Sequence, residues 1–299
     1  MKDVFENLTI QKSFQSHSDR GTLYLVATPI GNLEDMTFRA IRTLKEVSWI
    51  AAEDTRQTRK LLTHYEIPTR MVSYHEHNKL PSGTELIRIL LTGESIALVS
   101  DAGLPAISDP GYELVKMAIA EGIPVVPIPG ANAALSALII SGLATDRFTF
   151  AGFLPREKKN LQLALEKLAA HEETLIFYES PHRVVKTLAA MEVVWGNRDI
   201  VLARELTKRY EEVVRGTITE ARSFLEEYPP LGEYCLVVSG FVQTQDQIEA
   251  DKAWWKVLSL KEHTEHYEHL GLDSKEAIKK TAIDRGLPKR EVYNELHRT

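Results

Sequence analysis

The sequence predicts an α/β protein with two sheets, and three observations lead to that prediction. Within residues 21–145, short β-branched runs alternate with stretches of helical pattern, which is typical of a mostly parallel sheet covered by helices. Within residues 146–242, two strand candidates follow each other without a long helix between them, which indicates a mixed sheet. Residues 243–299 have a helical pattern and no strand signal. We therefore expect an N-terminal extension (1–20), two α/β domains, and a linker followed by a small helical tail module.

Each predicted strand is a short apolar run followed by turn residues. In the first domain the predicted strands are Leu23–Ala27, Trp49–Ala52, Ile96–Ser100 and Val125–Ile128. In the second they are Phe148–Phe153, Thr174–Tyr178, Ile200–Ala203, Glu212–Gly216 and Tyr234–Ser239, with helices near 159–170, 182–192 and 218–228. The polar stretch Gln243–Ala250 indicates a linker. In the tail, Asp273 precedes one predicted helix and Pro288 precedes another.

Composition is that of an ordinary globular protein, with 43% hydrophobic and 26% charged residues among 299. The longest apolar stretch, residues 133–140, is too short to span a bilayer, and the polar start lacks the apolar region of a signal peptide. We therefore expect a cytoplasmic protein. Cys235 is the only cysteine, which excludes an internal disulfide. The net charge of −6 disfavours a protein that coats nucleic acid over its whole surface, but it permits a local basic patch.

Three loops with small and polar residues follow predicted strands of the first domain. They are Thr28–Asn32, Ser100–Gly103 and Pro127–Asn132. Because ligands of open α/β sheets bind at the carboxyl ends of the strands, these loops should line one pocket. The sequence contains no Gly-x-Gly-x-x-Gly after a strand and no Walker A motif, so neither a dinucleotide fold nor a P-loop NTPase is supported.

The segment 100–111 is the most informative loop. It is longer than a helix start requires, so we expect Asp101, Gly103 and the backbone of 104–108 to contact a ligand. Helix capping is sufficient to explain Asp109 and Gly111. For Thr28–Leu33 and Pro129–Asn132, pocket lining and plain turn chemistry are equally supported.

The segment Glu53–Arg56 places two acids and a base at the end of a predicted strand. Asp54 is expected to cap the following helix, since acids are favourable at a helix N-terminus. Glu53 and Arg56 are candidates to face a substrate.

Several of these motifs, in this order, closely resemble the small-subunit ribosomal RNA 2′-O-methyltransferase branch of the tetrapyrrole (corrin/porphyrin) methylase family. The motifs are Thr28–Leu33, Glu53–Arg56, Asp101–Gly111, Pro129–Asn132 and Phe177–Arg183. The resemblance runs from about Gly21 to Gly240, and the tail also looks like that branch. It implies two α/β domains with S-adenosylmethionine in the cleft between them, a homodimer, and a cytidine of 16S ribosomal RNA in the small subunit as the target.

The resemblance also implies site residues. Asp101, Gly103, Ile107 and Ser108 would hold the methionine and ribose end of the cofactor, while Pro129 and Tyr178 would lie near it, and Pro29 is a further candidate contact. Methylation of a 2′-hydroxyl needs an acceptor for its proton. The candidates for that role are Glu53, Glu179 and Glu205, with His182 as a fourth.

Arginine and lysine side chains in the second domain are candidates for RNA contact, because they pair with phosphates. With Arg56 of the first domain, the candidates are Arg156, Lys159, Arg183 and Arg204. Acids interleave with these residues, so a solvated charged face is the competing interpretation. Two competing functions also stay open: a methylase of small tetrapyrroles and a non-catalytic ribosome-assembly factor. The histidines at 75 and 77 and at 263, 266 and 269 match no standard zinc pattern, and we predict no metal.

Overall fold

The computed structural model describes residues 10–13, 19–243 and 254–297. The chain divides into two compact units, Met1–Phe241 and Val242–Thr299. Most of the predicted N-terminal extension and residues 244–250 of the predicted linker lie outside the described residues.

The sequence predicted a mostly parallel first sheet, and the structure shows one in which every pairing is parallel, with strand order β3-β2-β4-β1-β5. Its strands are β1 (Leu23–Val26), β2 (Trp49–Ala52), β3 (Met71–Ser73), β4 (Ile96–Val99) and β5 (Val125–Ile128). The connecting helices are α1 (Phe38–Glu46), α2 (Thr55–His64), α3 (Lys79–Leu91) and α4 (Tyr112–Ala120), with a short 3-10 helix at Leu33–Asp35. Helices α1 and α2 cover one face and α3 and α4 the other. Burial on both faces explains the continuous apolar strands.

The edge strand β3 was not predicted from the sequence. It has only three residues, all of them half-buried, and it pairs on one side with β2. Such a short strand lacks the apolar run on which strand prediction depends.

The second sheet is mixed, also as predicted, with strand order β6-β7-β10-β8-β9. Its strands are β6 (Phe148–Phe153), β7 (Thr174–Glu179), β8 (Asp199–Arg204), β9 (Glu212–Thr217) and β10 (Tyr234–Val238). Only β6 and β7 pair in parallel, and the other three pairings are antiparallel. Helices α6 (Lys158–Leu168), α7 (Val184–Trp195) and α8 (Ile218–Glu227) pack on one face.

The other face of the second sheet is covered by α5 (Ala133–Ser141), which follows β5 of the first sheet. Buried Ala134, Ala137 and Leu138 of α5 pack against Ile176 and Val237 of the second sheet. The first sheet thereby provides the helix that closes the second sheet's core, and the carboxyl ends of β1, β4 and β5 are held beside the second sheet.

The smaller unit contains, among its described residues, a 3-10 turn and three helices: Trp254–Val257, α9 (Leu260–His269), α10 (Ser274–Arg285) and α11 (Lys289–Leu296). Asp273 caps α10 as predicted, and its side chain accepts from the Glu276 N–H. The small core consists of Ile278, Ala282 and Val292. Nowhere in the described part of the chain is a helix both long and apolar enough to cross a membrane.

Candidate active site

A cleft of about 440 Å³ opens between the strand-end loops of the first sheet and the second sheet. This volume lies within the range of small-molecule sites, roughly 300–1,000 Å³. The first sheet contributes Ile30, Asp101–Leu104, Ile107–Asp109, Asn132 and Ala133 to its wall. The second sheet and its loops contribute Phe153, Tyr178–Pro181, Ala203, Glu205, Leu206 and Glu233–Cys235. All three predicted loops therefore meet at one pocket, and the loop after β1 contributes to it through Ile30.

The loop after β4 is held in an unusual backbone conformation. Gly103, Ala106, Ser108 and Gly111 all have positive φ, at 80°, 68°, 64° and 154°. Two of these are not glycine, and such residues disfavour the left-handed region. The backbones of Thr28 and Gly103 exchange hydrogen bonds of 2.9 and 3.1 Å, which fix the loop to the end of β1. The structure thus places predicted Asp101, Gly103, Ile107 and Ser108 together in the cleft wall.

Asp109 is a site residue that sequence reasoning missed, and its predicted capping role is wrong. Helix α4 begins at Tyr112, and Gly111 precedes it without any side-chain capping bond. Asp109 instead lines the cleft. Burial and the nearby carboxylates of Glu53 and Asp101 raise the pKa of Asp109 to about 6, although hydrogen bonding to Ser100 opposes the shift.

Glu53 lies behind this wall at the end of β2. It is half-buried, its Oε2 atom is buried without a hydrogen-bond partner, and it is not among the cleft-lining residues. Burial raises the pKa of Glu53, and the carboxylate of Asp101 raises it further. Asp54 caps α2 as predicted, while its own N–H donates to Asp101 Oδ1 at 3.1 Å. The ends of β2 and β4 are therefore joined through Asp101.

Glu179 is a buried carboxylate whose oxygens are already occupied. Its Oε1 accepts from the Ser180 N–H at 2.8 Å, and its Oε2 accepts from Thr187 Oγ1 at 2.7 Å. Arg183 lies 3.6 Å from Oε2. With 1% of its side chain exposed, Glu179 has the environment of a structural anchor between β7 and α7.

One carboxylate oxygen of Glu205 is also occupied by hydrogen bonds within the protein. Its Oε1 accepts from Lys208 Nζ at 2.8 Å and from the Glu233 N–H at 3.0 Å. The hydrogen bond from Lys208 lowers the pKa of Glu205. Gly232 lies against this side chain, since a Cβ there would come within 2.5 Å of the Glu205 carboxyl group.

Tyr178 forms the apolar part of the second wall. The Ala134 N–H donates to its hydroxyl oxygen at 3.2 Å, and its ring packs edge-on against Phe150 and Phe153. Burial raises the pKa of Tyr178 to about 12. The ring therefore presents a neutral aromatic surface to the cleft.

Two predicted cofactor contacts, Pro29 and Pro129, are not among the described residues that line the cleft. The neighbouring glycines serve packing within the protein. A Cβ on Gly31 would lie 2.3 Å from Lys208 Cγ, and a Cβ on Gly130 would lie 2.8 Å from Ala27 Cβ.

The five predicted RNA contacts divide into two groups. Arg183 donates to the carbonyls of Leu154 and Pro155 at 2.9 and 3.0 Å. Arg204 lies 3.5 Å from Glu212, and Arg56 pairs with Asp54 at 2.8 Å while staying 87% exposed. Arg156 and Lys159, by contrast, are exposed and make no hydrogen bond or ion pair within the described residues.

The predicted histidine positions also differ in their surroundings. His75 and His77 face each other with ring centres 6.0 Å apart, and His263 is fully buried while His266 and His269 are exposed. Across the described ranges, no group of three histidine, cysteine or acidic side chains is arranged to hold a metal ion.

Comparison with known proteins identifies the family. The profile described as Tetrapyrrole (Corrin/Porphyrin) Methylases matches residues 22–222, which cover most of both sheets. The chain belongs to this family. It is 60% identical over 287 residues to the ribosomal RNA small subunit methyltransferase I of Halalkalibacterium halodurans, covering 96% of this chain and 98% of that protein. The corresponding Bacillus subtilis protein is 58% identical with the same coverage, and the Synechocystis protein is 47% identical over 91% and 96%.

Two solved structures share the fold of this chain. Diphthine synthase superposes with a TM-score of 0.58 at 13% identity, covering 77% of this chain and 94% of that chain. Cobalt precorrin-4 methyltransferase superposes with a TM-score of 0.55 at 15% identity, covering 73% and 94%. These likenesses concern the fold. With the family membership, they confirm the predicted α/β fold. The high-identity relatives confirm the predicted enzyme class, a methyltransferase.

Proposed function

We propose that this protein is an S-adenosylmethionine-dependent enzyme that methylates the ribose 2′-hydroxyl of a cytidine in 16S ribosomal RNA of the small subunit. The observation that carries the proposal is the 58–60% identity, over nearly the full chain, to proteins named ribosomal RNA small subunit methyltransferase I. A bacterial ribosomal substrate implies a cytoplasmic location.

The cleft fits S-adenosylmethionine in size and in chemistry. Bound S-adenosylmethionine supplies an electrophilic methyl group on a positively charged sulfur. The described cleft wall carries five carboxylates and no lysine, arginine or histidine side chain, which suits a cationic ligand. Asp101 and the exposed backbone after it would hold the polar end, and Tyr178 and Ile107 offer apolar surface for a flat base.

The same charge pattern supports RNA over a small tetrapyrrole. A tetrapyrrole with an acidic periphery would need cationic side chains in the cleft, and the described wall supplies none. Cations lie instead at Arg156, in the loop that follows Phe153 of the wall, and at Lys159, in the first turn of α6. Arg183 holds the start of that loop. An RNA backbone would therefore bind beside the cleft, with one ribose reaching into it.

The proton of the ribose hydroxyl requires an acceptor. Of the three predicted carboxylates, Glu53 has a buried oxygen without a partner, both oxygens of Glu179 are bonded, and Oε1 of Glu205 is held by Lys208 Nζ and the Glu233 N–H. We therefore propose Glu53 as the acceptor; because it lies behind the cleft wall, it would take the proton through a bridging water, with positioning of the hydroxyl supplying much of the rate.

A homodimer is also part of the proposal. The outer face of α5 exposes Leu135, Ile139 and Ile140. A contiguous apolar face of this kind on a surface helix is typical of protein–protein contact.

The deciding experiment is transfer of labelled methyl groups from S-adenosylmethionine to purified small ribosomal subunits that lack the modification, followed by nuclease mapping. We expect label in one 2′-O-methylated cytidine. Asp101→Ala should weaken cofactor binding while the protein stays folded. Cofactor binding without labelling of RNA would point to another methyl acceptor, and absence of cofactor binding would overturn the proposal.

A further inference from the structure

The carboxylates of the cleft differ in whether a cation neutralises them. Glu179 lies beside Arg183, and Glu205 and Glu233 share Lys208, with contacts of 2.8 and 2.9 Å. Asp101 and Asp109 have no ion pair among the described residues. The positive charge of Arg56 interacts with Asp101 at longer range, but the Arg56 side chain is already paired with Asp54.

Asp109 is the more isolated of the two. It is half-buried in the wall, and the charged groups that face it are Glu53 at the end of β2 and Asp101 at the end of β4, both negative. Tyr178 on β7 faces it from the opposite wall, and His75 faces Glu53. No cation is among the groups that act on Asp109. Its negative charge is therefore uncompensated until a ligand provides the opposite charge.

We propose that Asp109 discriminates by charge between the sulfonium cofactor and its neutral thioether product, binding the first more tightly because it neutralises the cluster of Asp109, Asp101 and Glu53. This inference rests on the proposed function, since it assumes that S-adenosylmethionine occupies the cleft. Transfer of the methyl group removes the positive charge from sulfur and leaves S-adenosylhomocysteine. The repulsion among the three carboxylates then returns, which favours release of the product.

The proposal has a defined pH dependence. The pKa of Asp109 is about 6 in the free protein, and a bound cation favours the charged carboxylate and lowers this pKa. Binding of the sulfonium below pH 6 must then release a proton, so its affinity falls as the pH falls. If every protonated Asp109 must lose its proton for S-adenosylmethionine to bind, the affinity for S-adenosylmethionine is about tenfold weaker at pH 5 than at pH 7.5. The thioether lacks the charge and should show little of this loss.

Titration calorimetry on the full-length protein tests the proposal. Dissociation constants of S-adenosylmethionine and S-adenosylhomocysteine are measured from pH 5 to 7.5, in two buffers of different ionisation enthalpy to count released protons. In Asp109→Asn, we expect the preference for S-adenosylmethionine and its excess pH dependence to disappear. Glu85→Gln is the matched control, because it also removes a carboxylate, but one on α3 outside the cleft wall that is 61% exposed and paired with Arg88. This control variant should retain both the preference for S-adenosylmethionine and its excess pH dependence.

The outcomes separate this inference from the function on which it rests. If both ligands bind with the same pH dependence, or if Asp109→Asn keeps the difference, the charge-discrimination role is wrong while the cofactor assignment stands. If neither ligand binds to the folded wild-type protein, the proposed function itself fails. Thermal unfolding of Asp109→Asn shows whether the variant is folded, and Asp109→Glu, which retains the charge, should restore part of the preference.

Discussion

Among the acidic side chains of the cleft, the hydrogen-bond partners decide which of them are free to act on a ligand. Glu179 accepts from Ser180 and Thr187 inside the protein. Asp109 faces the cleft with two negative neighbours. Both acids lie in loop motifs of the sequence, but Glu179 has the environment of a structural anchor, whereas Asp109 faces the cleft.

A first prediction concerns Glu179. Glu179→Gln should lower the free energy of unfolding by about 2–3 kcal/mol, because it weakens charge-assisted bonds in a buried site and leaves Arg183 without its partner. Denaturant titration measures this change. Thr187→Val, which removes one donor to Glu179, should cost about 1 kcal/mol. Unchanged stability together with lost methyl transfer would instead make Glu179 catalytic.

The sequence predicted Asp101, Gly103, Ile107 and Ser108 as pocket residues, and all four line the cleft, but it did not predict that Asp109 lines it too. An Asp-Pro pair before a helix normally predicts a cap. Here the positive φ of Ser108 and Gly111 delays the helix to Tyr112. Such backbone conformations depend on tertiary contacts, which local sequence does not report.

For whole elements, the loop after β8 depends on a close approach to the loop after β1. A Cβ on Gly31 would lie 2.3 Å from Lys208 Cγ, 2.9 Å from Thr207 Oγ1 and 3.1 Å from the Leu206 carbonyl oxygen. Leu206 lines the cleft, so the contact bears on the cleft's shape.

We therefore predict that Gly31→Ala destabilises the protein by about 1–3 kcal/mol through overpacking and weakens cofactor binding. The effect should be smaller in the Lys208→Ala background, where the clashing side chain is absent. A double-mutant cycle on unfolding free energies measures this coupling. Strict additivity would show that the two loops do not meet.

The loop between β6 and α6 gives a prediction on RNA. Arg156→Ala with Lys159→Ala should weaken binding to small-subunit RNA and reduce the salt dependence of the affinity, because each phosphate contact releases counterions. Binding of S-adenosylmethionine should not change. Lys167→Ala removes an exposed-helix cation farther along α6 and serves as the control. Equal RNA affinity in all three proteins would exclude this loop from the interface.

At the scale of the whole molecule, the smaller unit is organised around an ionisable residue. His263 is fully buried, stacks on Trp255 with ring centres 5.7 Å apart, and accepts from Arg285 Nε at 3.2 Å. Burial and the positive charge of Arg285 lower the pKa of His263. The folded unit therefore favours the neutral imidazole, although the carboxylate of Asp284, 3.4 Å from His263 Nε2, opposes the shift.

The sign of the resulting pH dependence follows from proton binding. Below pH 6.5, the ordinary histidine pKa, the unfolded chain takes up a proton that the folded unit excludes. Stability of this unit should therefore fall with decreasing pH, by at most about 1.4 kcal/mol per pH unit. Hydrogen exchange of residues 260–285 at pH 7 and 5.5 measures it. His269→Gln should keep the effect, and equal protection at both pH values would refute it.

Much of the architecture was accessible from the sequence, since both sheet types follow from how strands and helices alternate. The position of α5 was not. Apart from Ser136 and Ser141 its residues are apolar, so the sequence shows no distinct apolar face that would identify a packing partner. Only the packing of Ala137 and Leu138 on Ile176 and Val237 assigns it to the second sheet.

The placement of α5 also restricts how this chain can be cut or exchanged. A fragment that ends after residue 145 would carry an apolar helix with nothing to bury it, and a fragment that begins there would leave one face of its sheet bare. The first piece could be fused only to a protein whose sheet has a face that fits α5. The second could be fused only to a protein that supplies a helix of matching shape. Residues 21–241 should therefore be exchanged between proteins only as one unit, even though they contain two sheets.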